Sequence, residues 1–217
     1  MEASQAESKP QLLLQFLTTE HFTLQTGRAA TISEANGRCS MYFSALSGVT
    51  VALAFIGQMS GMGQLFFIFG FVLFPTVLFL GLATYVRMIQ LGIEDIIYAR
   101  GINRIRHFYV EVAPEAEKYF ILSTHDDVGS ASLRYLGLIA PWWQMFMTVA
   151  GVVEVINGVV AGTLAGMAAS QLIGLGLLPG VGSGVLTFGI AVAAQHQYGF
   201  RLWDRVESQI TDVFPAS

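Results

Sequence analysis

Charge is scarce in this sequence, and two of its connections carry none. Only 12% of the 217 residues are Asp, Glu, Lys or Arg, about half the share of a soluble domain. With 53% hydrophobic residues and a mean hydropathy of +0.58, that scarcity excludes an ordinary water-soluble globule. Cysteine is nearly absent as well. The lone Cys39 rules out a disulfide within the chain, suits a reducing compartment and reads as an inert small residue. The net charge of −4 offers no electrostatic footing for nucleic acid.

Catalytic signatures are missing too. There is no G-x-S-x-G, no H-E-x-x-H, no phosphate-binding G-K-S/T loop and no G-x-G-x-x-G, so the chain is read as no enzyme, with no cofactor and no metal. No basic start followed by an apolar core and a cleavage site precedes residue 40, which leaves the first apolar run as its own insertion signal. The absence of a 20–50-residue repeat argues against an inverted-repeat transporter.

What is present is four apolar runs. A helix crossing roughly 30 Å of hydrocarbon needs about 20 apolar residues. The runs near 41–58, 65–86, 142–169 and 185–200 meet that need. All eleven Lys and Arg fall on one side of them: Lys9, Arg28 and Arg38 before the first; Arg87, Arg100, Arg104, Arg106, Lys118 and Arg134 between the second and third; Arg201 and Arg205 after the fourth. The connections around 58–64 and 174–184 hold no charge. Basic residues in short flanking segments stay in the cytoplasm. The fold expected is therefore all-α and polytopic, with four transmembrane helices in the cytoplasmic (inner) membrane and both termini inside.

The chain divides accordingly. Residues 1–10 read as a mobile tail and 11–40 as a cytoplasmic amphipathic helix leading into span 1. Residues 41–86 read as a transmembrane hairpin, 87–140 as a cytoplasmic extension and loop, 141–200 as a second hairpin and 201–217 as a C-terminal tail. Spacing of Ile89, Ile93, Ile96, Ile97, Ile102 and Ile105 among charges continues span 2 as an amphipathic helix. It is expected to pack on the extension of span 1 as an antiparallel stalk, ended by Pro114. Glu34, Arg38, Glu94 and Asp95 are its salt-bridge candidates, Glu34 and Arg38 at i,i+4. His125-Asp126-Asp127 reads as a solvated turn, and Leu133–Leu138 as a short helix. Pro141, Trp142 and Trp143 open span 3; Gly174 to Gly184 reads as a glycine-rich outer loop, with a start of span 4 near Leu175 as the alternative to one near Val185.

Glu154 is the only one of fifteen acidic residues inside a span. Counted from Trp143 it lies roughly 16 Å into the membrane, where a charge costs at least about 2.5–3.5 kcal/mol. Asn157 shares its face at i+3. The pair is read as an ion-path lining, against the alternative of a hydrogen-bonded packing contact. Gly158, Gly162, Gly166 and Ser170 recur at four-residue spacing on the same helix, small residues that let helices approach; a central place in a homo-oligomer is favoured over packing within the chain. His196, near the inner end of span 4, is a gating or pH-sensing candidate, weighed against a plain interfacial histidine. These features predict a homo-oligomeric channel conducting ions. A non-conducting scaffold docking a soluble cytoplasmic partner and a small proton-coupled transporter are the alternatives. Beyond the lipid bilayer and other copies of itself, that soluble protein is the one partner expected.

Overall fold

The computed structural model describes residues 2–132 and 142–216 and, among these, the side chains of all but 2–8, 10 and 142. The expected short helix Leu133–Leu138 and the opening of span 3 at Pro141 lie outside the described residues. The described residues are helical, with no strand among them: α1 (Glu2–Ser60), α2 (Gln64–Val112), α3 (Val128–Ala131), α4 (Val149–Gln171) and α5 (Leu177–Glu207), with 3-10 turns at Pro114–Tyr119 and Trp142–Met147. Four of the helices are long and apolar enough to cross a membrane. They fall in two compact units, one drawn from Met1–Glu34, Leu91–Ala140 and Glu207–Ser217, the other from Ala35–Gln90 and Pro141–Val206.

In the first unit, the early part of α1 runs antiparallel to the end of α2. Gly27 lies under the Tyr98 ring, where an added methyl group would come within 3.1 Å, and Gly101 lies against Leu24. Arg28 grips Asp95 through Nε and Nη2 at 2.7 and 3.1 Å. Ile93, Ile102 and Ile105 are buried, as the stripe along α2 requires. α1 is helical from Glu2, so it takes in residues 2–10, which the sequence alone assigns to a tail. Leu12, Leu13, Leu14, Phe16 and Phe22 on α1 stay exposed.

In the second unit, the turn between α1 and α2 places Gly61 and Met62 in the left-handed region, φ 57° and 58°, conformations that glycine adopts without steric cost. Two boundaries depart from the sequence reading. Span 3 does not begin as α-helix at the tryptophans: Trp142–Met147 is a 3-10 turn, and Thr148 caps α4 by accepting from the Gly151 N–H, which halts the helix before Val149. The glycine-rich outer loop is shorter than 174–184, because α5 begins at Leu177, close to the earlier of the two starts considered for span 4, and takes in Pro179, Gly180 and Gly184. Proline is tolerated in a first turn, where its missing N–H would have no intrahelical partner. The glycines are held helical by their contact with α4.

That contact uses the small-residue stripe within the chain. A methyl group at Gly158 would meet Val192 and Phe188, at Gly162 the Gly184 carbonyl oxygen at 2.6 Å, and at Gly166 the Gly180 carbonyl oxygen at 3.1 Å. Ser170 Oγ occupies the space beside Gly180. The stripe favoured for contacts between copies is taken up by α5 of the same chain. Nearby, a groove of about 540 Å³ is lined by Phe67, Val159, Met167, Leu177, Val181 and other largely apolar side chains.

Candidate functional site

Each of the four long helices puts at least one polar side chain into a buried chain of hydrogen bonds in the second unit. Tyr42 of α1 donates through its hydroxyl to Asn157 Oδ1 of α4 at 2.9 Å. Asn157 Nδ2 donates to Gln195 Oε1 of α5 at 2.9 Å. Gln195 Nε2 returns to its own helix at the Ala191 carbonyl, 3.1 Å away, and to the Glu154 carbonyl at 3.4 Å. Tyr85 of α2 donates to the Gln195 main-chain carbonyl at 2.7 Å. Tyr42, Tyr85, Glu154, Asn157 and Gln195 are all buried. Polar groups removed from water persist only when partnered in this way.

Glycine makes the meeting possible. Gly81 of α2 faces both Asn157 Oδ1 and the Tyr42 ring so closely that any β-carbon there would overlap the asparagine oxygen. Gly199 of α5 similarly lies against the Tyr85 hydroxyl.

Glu154 lies in the second turn of α4, about 8 Å along the axis from Val149. It is thus nearer the end of its helix than the count from Trp143 places it. Its residue surface is 3% exposed. His196 Nδ1 stands 3.4 Å from Glu154 Oε1, yet that oxygen is buried and accepts no hydrogen bond among the described residues. The Tyr85 phenol also faces the carboxyl group. The His196 ring is stacked on Phe146 at 5.3 Å and meets Phe200 edge-on at 4.7 Å. Its side chain remains 30% exposed. The carboxyl is sealed, and the imidazole beside it reaches the surface.

Glu154 and His196, singled out from sequence, are therefore brought together, and Asn157 reaches the Glu154 main-chain carbonyl through Gln195. The stripe Gly158, Gly162, Gly166 and Ser170 continues from them along α4. Tyr42, Tyr85 and Gln195 were not singled out. Two tyrosines within apolar runs carried a signal, since a phenol removed from the interface needs a partner. Of the stalk candidates, Asp95 pairs with Arg28. Cys39 is buried against Met88, Sγ to Sδ 3.7 Å.

No known protein family, curated protein or solved structure matches this chain. Its chemistry rests on the geometry above.

The first unit has a polar centre of its own. Of the His125-Asp126-Asp127 turn, read as solvated from the sequence, His125 and Asp127 are partly exposed and Asp126 is not. Asp126 is fully buried and accepts from Arg104 Nε at 2.6 Å and from the backbone N–H groups of Val213 and Phe214 at 3.0 and 2.8 Å. Burial pushes its carboxyl up, but those N–H groups and the Arg104 guanidinium outweigh burial and hold it below the usual carboxylate range. Asp127 caps α3 through the Ser130 N–H at 2.9 Å and also accepts from the Ala216 N–H at 3.2 Å. Arg100, 2% exposed, pairs with Glu207 at 3.2 Å and with Asp212. Among the described residues, no three His, Cys, Asp or Glu side chains are grouped to hold a metal.

Proposed function

We propose that the chain is a membrane transport protein that handles protons, with Glu154 and His196 as the proton-carrying couple. The observation that supports this reading is the 3.4 Å pairing of a sealed carboxyl group with an imidazole that is partly open to the surface. An ionisable residue within a span costs several kcal/mol and persists where it has work to do. Histidine exchanges protons near neutral pH, so His196 serves as the entry and Glu154 as the inner acceptor. The groups facing the couple are the Tyr85 phenol and the Gln195 main chain, with Asn157 and Tyr42 continuing the hydrogen-bonded chain across the helices. This reading keeps the ion-conducting expectation but moves the path inside one chain: Glu154 and Asn157 turn toward their own helices and need no ring of copies to enclose them. The one-sided placement of Lys and Arg supports both termini lying in the cytoplasm, so the His196 end of α5 opens to that side.

Reconstitution into liposomes with an internal pH-sensitive dye tests the proposal. An imposed membrane potential is expected to drive proton flux through the wild type. Glu154→Gln is expected to lower it at least tenfold, and His196→Asn to slow it and change its pH profile. Flux by Glu154→Gln equal to wild type removes the couple from the mechanism. No flux from an intact wild-type protein removes the transport reading. The second reading, a scaffold that docks a soluble protein, is favoured by the polar centre of the first unit, which uses neither Glu154 nor His196.

A further inference from the structure

The last described residues of the chain are held as a ligand is held. Asp126 accepts the N–H groups of Val213 and Phe214 through its carboxylate, and its own N–H donates to the Phe214 carbonyl at 3.1 Å. The Ala216 N–H goes to Asp127. Arg104 Nη2 donates to the Thr211 carbonyl at 2.6 Å. These contacts read the main chain of an extended segment and would accept many sequences. Two others read side chains: Arg100 pairs with Asp212, and the His107 ring stacks on Phe214 at 3.9 Å and 17°. The cradle itself is built independently of the tail. Asn103 Nδ2 ties α2 to the His125 carbonyl at 2.8 Å, and Ser123 Oγ accepts from the His125 N–H.

The tail meanwhile buries little. Thr211, Asp212, Pro215 and Ala216 are exposed, Val213 is 53% exposed, and Phe214 is half-buried. A segment held mainly by hydrogen bonds, with only one half-buried apolar side chain, opens without disturbing the core and exchanges with water or with a similar segment. A vacated Asp126 carboxylate, however, would be a buried charge in need of donors. Two successive N–H groups of another extended chain supply them.

We propose that this cradle is a peptide-recognition site for an extended partner segment with an acidic residue two positions before an aromatic one, and that the chain's own tail fills it when that segment is absent. The site is independent of the proton couple, and its test uses no flux. Tethering gives the tail a millimolar effective concentration, so a free peptide competes poorly until the tail is weakened.

The probe is a fluorescein-labelled peptide of residues 207–217, titrated by fluorescence anisotropy onto the full-length protein in detergent. Phe214→Ala in the protein is expected to raise its affinity for the peptide about tenfold over wild type. Replacing the Asp or the Phe within the peptide is expected to lower affinity at least tenfold, a comparison that leaves the protein untouched. A peptide that fails to bind the Phe214→Ala protein, or altered peptides that bind as well as the parent, overturns the proposal. Hydrogen exchange on the wild type is the second measurement. The Val213 and Phe214 amides are expected to exchange faster than the α2 amides of 100–107. Exchange at the same rate as those helix amides means the tail leaves only on unfolding, which also overturns it. Capture of a second copy's tail, seen as peptide-sensitive dimers, is one form of the same recognition and supports it.

Discussion

At Gly81 the lack of a single methyl group decides whether Tyr42 and Asn157 meet. Gly81→Ala forces the asparagine oxygen away and strands two buried polar groups. Overpacking alone costs about 1–3 kcal/mol, and an unpaired buried group a similar amount again. The variant is expected to unfold at a lower temperature than wild type by nanodisc calorimetry, and Asn157→Ala combined with it to recover part of the loss, because the overlap with the asparagine oxygen is then gone and only that with the Tyr42 ring remains. Asp126 gives a residue-level dependence on pH. Its carboxyl titrates lower in the folded chain than in the unfolded one, where it lies near the ordinary value of about 3.9. The stability it adds is therefore complete above about pH 4 and is lost as pH falls through the lower, folded value. Tail amides read by hydrogen exchange are expected to stay protected at pH 5 and to open below about pH 4. Loss of protection between pH 7 and pH 5 would contradict that assignment. At this scale the sequence was half legible. Glu154 stands out because hydropathy makes a lone acid in an apolar run conspicuous. Its neighbour His196 lies 42 positions further on, and their approach depends on the register of two helices, which no local pattern encodes. Asp126 looked like turn chemistry for the same reason: its donors are in the tail, 87 and 88 positions away.

Among the elements, helix ends were harder to read than helix existence. The apolar periodicity of α2 runs on past the span and marks the stalk directly. The start of α4 depends instead on Thr148 acting as a cap, one threonine among several. The start of α5 depends on tolerance of Pro179 and on packing that turns Gly180 and Gly184, poor helix formers in isolation, into the surface α4 needs. Composition pointed to a loop there, and tertiary contact overrode it. The same reasoning predicts an asymmetry. Gly162→Leu and Gly184→Leu each place a side chain where the other helix's carbonyl oxygen stands, so both are expected to separate α4 from α5 and lower thermal stability. Gly182→Leu, on the same helix with open space around it, is expected to leave stability within about 0.5 kcal/mol of wild type, the usual range for surface changes. Equal loss at all three positions would mean that helix propensity and not close approach governs this pair.

For the whole molecule, the proposed topology rests on the few charges. Four helices long and apolar enough to span a membrane follow from composition, since hydrocarbon leaves no alternative for a backbone that must satisfy itself. The proposed orientation rests on a second regularity: every Lys and Arg comes before the first apolar run, between the second and third, or after the fourth, and the connections around 58–64 and 174–184 carry no charge. Cys39, buried and alone, makes this easy to examine. In a Cys39→Ala background, single cysteines at Ser60 and at Ser208 lie on opposite sides of the proposed arrangement. A membrane-impermeant maleimide applied to intact cells is expected to label Ser60→Cys and spare Ser208→Cys, and permeabilisation to expose the second. The reverse pattern would invert the side to which His196 opens, and with it the direction of proton entry, while leaving the helix contacts as they are. Adding basic residues to the 58–64 turn provides the complementary check, because a charge bias set by only eleven residues is small enough for three or four added arginines to compete with it; mixed labelling at both positions is the expected result.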